Sequence, residues 1–128
     1  MAHCIVDYTD NLGADADIQG LLAKIAAKFR ESGGVFPIGG IRVRAIRLTE
    51  YVIADGQEDD AFVNATVKMG AGRPAEFKQR FFGEMFEIIK DHFAALYAER
   101  YLALTLYVEE ADESASFKHN NIHARFKK

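Results

Sequence analysis

The 128-residue chain has a single cysteine, Cys4, so no internal disulfide can form and a reducing cytoplasm is the expected compartment. It has no basic excess either: 16 Lys and Arg stand against 19 Asp and Glu, a formal charge of −3. With no basic tail or stripe to neutralise a phosphate backbone, nucleic acid is not an expected partner. No apolar run approaches the roughly 20 residues that a membrane span needs. The longest, around Phe81-Phe82 and over 102–108, are cut by Glu84, Glu87, Lys90, Asp91, Glu99 and Arg100, which excludes a membrane helix. Met1-Ala2-His3-Cys4-Ile5-Val6-Asp7 lacks the basic and long apolar regions of a secretory signal. Metal-ligand patterns are also wanting. His119 and His123 have no third ligand at a telling distance, and their segment reads as a loop around Asn120-Asn121. The acidic cluster Asp55, Glu58, Asp59 and Asp60 has Asp60 and Thr66 where a calcium loop needs glycine and glutamate, so it reads as a solvated turn. Neither a metal nor an organic cofactor is expected.

What is present is enough apolar material, 49% of residues, for one core, and 1–128 reads as a single domain. Residues 2–8 form a strand signal beginning at the chain terminus and stopping at the polar cluster Thr9-Asp10-Asn11-Leu12-Gly13. Ile18, Leu21, Leu22, Ile25 and Phe29 then recur on one helical face, with Asp15 or Asp17 as N-cap and Gly33-Gly34 as terminator. After the turn at Phe36-Pro37-Ile38-Gly39-Gly40 comes a second strand over 41–48, and Tyr51-Val52-Ile53-Ala54 before Asp55-Gly56 reads as a short edge strand. The pattern repeats: a strand over 61–69, a helix opened by Pro74 and running to about Glu99, and a strand over 102–108. Pseudo-repeats of about 1–50 and 60–110 are followed by a polar tail, 111–128, for which Phe117 and Ile122 are the expected anchors.

Two β-α-β units predict an α/β (α+β) fold with a four-stranded sheet and both helices on one face. The second helix carries an apolar stripe of Phe77, Phe81, Phe82, Met85, Phe86, Ile88, Ile89, Phe93 and Leu96, wider than one sheet face needs. The other sheet face would hold Phe62, Asn64, Thr66, Ala103, Thr105 and Tyr107, too apolar for open solvent and too polar for a core. A closed oligomer is the expectation.

Chemistry is sought first among the arginines. Arg42 follows a Gly-Gly turn and Arg73 stands behind Gly70-Ala71-Gly72 at a helix start, positions that suit carboxylate binding, although both also fit ordinary solvated charges. The second candidate is the terminal amine, with an ordinary pKa of about 8. Burial and neighbouring cations would lower it, leaving a neutral base for moving a proton next to a carbonyl. Cys4 reads as core, because adjacent strand residues point to opposite faces and His3 cannot serve it as a base.

His3 with its strand, Phe36-Pro37-Ile38-Gly39-Gly40-Ile41-Arg42, Ala54-Asp55-Gly56, Ala61-Phe62-Val63, Gly70-Ala71-Gly72-Arg73 and Phe117-Lys118-His119-Asn120-Asn121-Ile122-His123 follow one another in an order that resembles the 5-carboxymethyl-2-hydroxymuconate isomerase family. The resemblance implies a tautomerase fold, a homotrimer enclosing a central barrel, and a role in the breakdown of the aromatic acid homoprotocatechuate. It implies an isomerase that shifts a carbon–carbon double bond in a small di- or tricarboxylate without a cofactor. Arg42 and Arg73 would grip carboxylates, with His3 and Arg44 beside the site. In that family the base is a proline exposed by removal of the initiator methionine. Ala2 occupies its position here, so two expectations stand side by side: a primary-amine isomerase, or a silent trimer that binds small carboxylates.

Overall fold

The computed structural model describes residues 1–127. Strands β1 (Ala2–Thr9), β2 (Ile41–Leu48), β3 (Ala61–Gly70) and β4 (Leu102–Ala111) form one sheet in the order β2-β1-β3-β4. β1 pairs in parallel with β2, β3 pairs in parallel with β4, and β1 meets β3 antiparallel. Each parallel pair is bridged by helix, α1 (Ile18–Arg30) in the first half and α2 (Ala75–His92) with α3 (Ala94–Glu99) in the second. The expected duplication and four-stranded mixed sheet are therefore present.

Period-two alternation decides the faces. Ala2, Cys4 and Val6 of β1 and Ala61, Val63, Ala65, Val67 and Met69 of β3 are all buried, in one cluster with Leu21, Ile25 and Phe29 of α1 and Phe81, Phe82, Met85 and Ile89 of α2. Small side chains on the central strands let the helices lie close, and the volume is filled by phenylalanines. Phe29 stands edge-on to Phe36 with centroids 5.0 Å apart, Phe36 lies 5.2 Å from Phe81, and Phe77 stacks on Phe81 at 5.3 Å. Such pairs add to burial. The start of α1 is fixed by Asp17, whose carboxylate accepts from the Gly20 N–H at 3.2 Å, choosing between the two expected caps.

Three expectations need correction. Tyr51-Val52-Ile53-Ala54 is not a strand: the Gly56 N–H closes a tight turn on the Ile53 carbonyl at 2.8 Å, Ala54 sits at φ 53°, and Val52 is 83% exposed. The segment is held by side chains instead, the Tyr51 hydroxyl donating to Asp10 at 3.0 Å. The helix expected to reach Glu99 breaks at Phe93. Apolar spacing reads through the break because i−4 bonding persists on both sides, from Phe93 N–H to Ile89 O and from Tyr97 N–H to Phe93 O. Phe117 does not anchor the tail, being 95% exposed, and Ile122 is also exposed.

Phe29 is fully buried at the centre of the phenylalanine cluster. Phe29→Ala is expected to cost about 3–5 kcal/mol of stability, read from the shift in a denaturant unfolding curve.

Candidate active site

β1 begins at the second residue and is paired from its first position, Ala2 lying opposite Ile41 on β2 and Met69 on β3. Met1 is thereby pinned at the end of the sheet. Ala2 itself is 1% exposed with its methyl group in the core, so with Met1 in place it contributes an amide, not a base. The free α-amine belongs to Met1. It packs against Gly40, where an added Cβ would stand 3.2 Å from the Met1 Cα, and this close approach is why a glycine ends the turn before β2. The amine's pKa lies below its ordinary value, first because burial disfavours the charge and then because Arg73, Lys118 and Arg42 are nearby, with Glu113 opposing them.

Arg73 is the most constrained cation of the group. Its guanidinium lies 4.5 Å over the Phe36 ring, donating from Nη1 to the Gly70 carbonyl at 2.8 Å and from Nη2 to the Val35 carbonyl at 3.2 Å. Its Nε is buried with no hydrogen-bond partner among the described residues. Each Nη keeps a second N–H for a carboxylate oxygen, whereas the enclosed Nε is out of reach of a ligand in this arrangement. Arg42 donates to the Gly40 carbonyl at a longer 3.4 Å. Both arginines expected from the sequence thus gather with the amine, one on each side of β1.

His3 and Arg44 lie beside this group rather than within it. They share the sheet face away from the helices, where His3 is opposite Arg42 on one side and Lys68 on the other. Arg44 Nη1 donates to His3 Nδ1 at 3.1 Å; because a guanidinium only donates, Nδ1 accepts and the ring proton sits on Nε2. Burial, then Arg44, Arg42, the terminal amine and Lys68, hold the imidazole below its ordinary pKa, so it is neutral near pH 7. Cys4, on the opposite face, is fully buried with its thiol pushed up to about 12 by desolvation, which removes it as a nucleophile.

The tail supplies residues that periodicity does not reveal. Asn120 Nδ2 donates to the Gly39 carbonyl at 2.9 Å, and a 3-10 turn over Ile122–Phe126 brings His123 onto Gly39. A Cβ at Gly39 would stand 2.7 Å from the His123 Cα, so that glycine exists to admit the tail. Glu113 lies against Gly70, where a Cβ would fall on its carboxylate, and pairs with Lys118 at 2.6 Å. The sequence signals for Lys118, Asn120 and His123 are the 117–123 block of the resemblance and its Asn-Asn turn, and Glu113 has none. Gly39→Ala is expected to lever the tail off the sheet, seen as faster tryptic cleavage after Lys118 and Arg125 than in the unaltered protein.

The chain is similar to known proteins over nearly its whole length. Residues 2–126 match the family of 5-carboxymethyl-2-hydroxymuconate isomerase. A 5-carboxymethyl-2-hydroxymuconate Delta-isomerase of Escherichia coli is 45% identical over 127 residues, covering 99% of this chain and 100% of its own. The crystal structure of a 5-carboxymethyl-2-hydroxymuconate isomerase from Deinococcus radiodurans R1 superposes with a TM-score of 0.95 at 43% identity, covering 99% of this chain and 95% of that one. Another 5-carboxymethyl-2-hydroxymuconate delta-isomerase structure gives 0.89 at 30% identity, over 100% and 94% of the two chains. The fold alone is shared with a fused 4-OT described as a symmetric trimer, at a TM-score of 0.67 and 15% identity over 95% of this chain and 98% of that one. With a family match over residues 2–126, a relative 45% identical along nearly the whole chain and the same fold throughout, the chain belongs to the 5-carboxymethyl-2-hydroxymuconate isomerase family.

Proposed function

We propose that the protein is an isomerase that moves a carbon–carbon double bond in a small unsaturated acid bearing more than one carboxylate, as the names of its relatives state for them. The observation that carries this reading is the terminal amine with a lowered pKa between Arg42 and Arg73. The reaction needs a base that takes a proton from the carbon next to an electron-poor system and returns it further along the conjugated chain. A neutral amine does both, being base in the first step and, once protonated, acid in the second. The arginines hold the carboxylates and stabilise the dienolate formed between the steps. Trimming of Met1 would move the amine to Ala2 at the start of β1. Intact mass distinguishes the two termini. We further assign the protein to a homotrimer, with the mixed face of Phe62, Thr66, Thr105 and Tyr107 turned toward sister subunits.

The second reading is a silent carboxylate-binding trimer, and Ala2 favours it, since no proline amine is available. Ala2→Pro, with the methionine removed, separates the two: a large gain over an inactive native protein supports an intact pocket lacking only its base.

The decisive assay is the ultraviolet absorbance of a conjugated hydroxymuconate. Native protein is expected to turn it over, and Arg73→Ala to lower kcat/KM by about 10²-fold or more, as for other preorganised donors. No native rate above buffer overturns the isomerase reading. The amine must be neutral to act, so kcat/KM rises with pH through its ionisation, with a midpoint below the ordinary 8.0, and levels above it. Arg73→Ala removes a cation that disfavours the protonated amine, so the residual rate is expected to show its midpoint at higher pH.

A further inference from the structure

The Glu113–Lys118 pair lies in the tail beyond β4, where Glu113 opens a 3-10 turn over Glu113–Ala115, and a surface pair of this kind contributes little to stability. Its position is what distinguishes it. The Glu113 carboxylate rests on Gly70, the same residue whose carbonyl receives the Arg73 guanidinium. Lys118 Nζ meets the other Glu113 oxygen at 2.6 Å. The segment carrying both is fixed beyond Lys118 by Asn120 on Gly39 and by His123 over Gly39-Gly40, the turn that also packs on Met1. A carboxylate therefore already sits beside the anion-binding arginine, near the amine, with an ammonium group of its own. Glu113 is held below the usual carboxylate range first by Lys118 and also by the terminal amine and Arg73, which places all three cations within electrostatic reach of it.

Resting on the polycarboxylate isomerase reading, we infer that Lys118 is a further substrate-binding cation selecting for an additional carboxylate, and that Glu113 occupies its place as an internal carboxylate until substrate displaces it. Arg42 and Arg73 provide two grips, and a ligand with a third carboxylate needs a third positive partner. Lys118 suits the task because its flexible ammonium can exchange one carboxylate for another, whereas Arg73 is fixed by stacking and two carbonyls. Half-exposure of both side chains, 41% for Lys118 and 53% for Glu113, leaves Glu113 free to swing into solvent.

The test is calorimetric binding of a matched pair of probes that differ by one carboxylate, trans-aconitate and glutaconate, to the full chain. Lys118→Met is expected to weaken aconitate by about 3- to 10-fold and to leave glutaconate within about twofold, in line with a charged hydrogen bond discounted for exposure. Glu113→Gln is expected to tighten aconitate severalfold without tightening glutaconate, because a competitor for the third subsite has been removed. Equal weakening of both probes by Lys118→Met, no tightening by Glu113→Gln, or no aconitate binding by the native protein overturns the inference. Unfolding curves of both variants, whose altered side chains are partly solvated, check that the fold is unchanged. Selective binding without turnover of the hydroxymuconate sinks the isomerase reading and leaves this one standing; turnover without selectivity does the reverse.

Discussion

β1 is hydrogen-bonded on both sides from its first residue, to β2 in parallel and to β3 antiparallel, and this double pairing turns a chain terminus into a fixed chemical group. Most termini fray because nothing satisfies their backbone. Here Ala2 is buried and Met1 follows its direction, so the α-amine is held against Gly40 near Arg42 and Arg73. Loss of register at the start of β1 would scatter the amine and its neighbours together.

The core and the site share one residue. Phe36 packs against Phe29 and Phe81 on its inner side and carries the Arg73 guanidinium on its outer side. The arginine is thus positioned by the hydrophobic cluster itself, with the Gly70 and Val35 carbonyls fixing its rotation. Preorganisation of this kind lowers the cost of ordering a side chain when an anion arrives. Its unpartnered Nε is enclosed by that packing, so an arriving anion is met by the second N–H of each Nη.

Strand alternation in 61–69 and the helical spacing from Ile18 to Phe29 were legible in the sequence, because burial on one face imposes a period that composition displays directly. Arg42 and Arg73 stood out by their glycine-flanked positions and took a carboxylate role from the resemblance, and the structure brings both to the amine. Tyr51-Val52-Ile53-Ala54 misled because β-branched and aromatic residues signal a strand only where a neighbouring strand is free to pair. Here the segment follows β2 into a turn bonded to Asp10. The tail was opaque for a different reason. Its attachment rests on an asparagine amide and on the missing side chains of Gly39 and Gly70, and a residue's absence of bulk leaves no periodic trace.

The meeting of Met1 with Asn120 and His123 at the Gly39-Gly40 turn joins segments separated by more than a hundred positions of chain. During synthesis the amine leaves the ribosome first and its electrostatic surroundings are completed last. The charge balance around the amine can be reached only after Lys118 and Asn120 have joined it. A chain lacking residues 113–126 would therefore leave the amine beside its arginines without the ion pair set over Gly70.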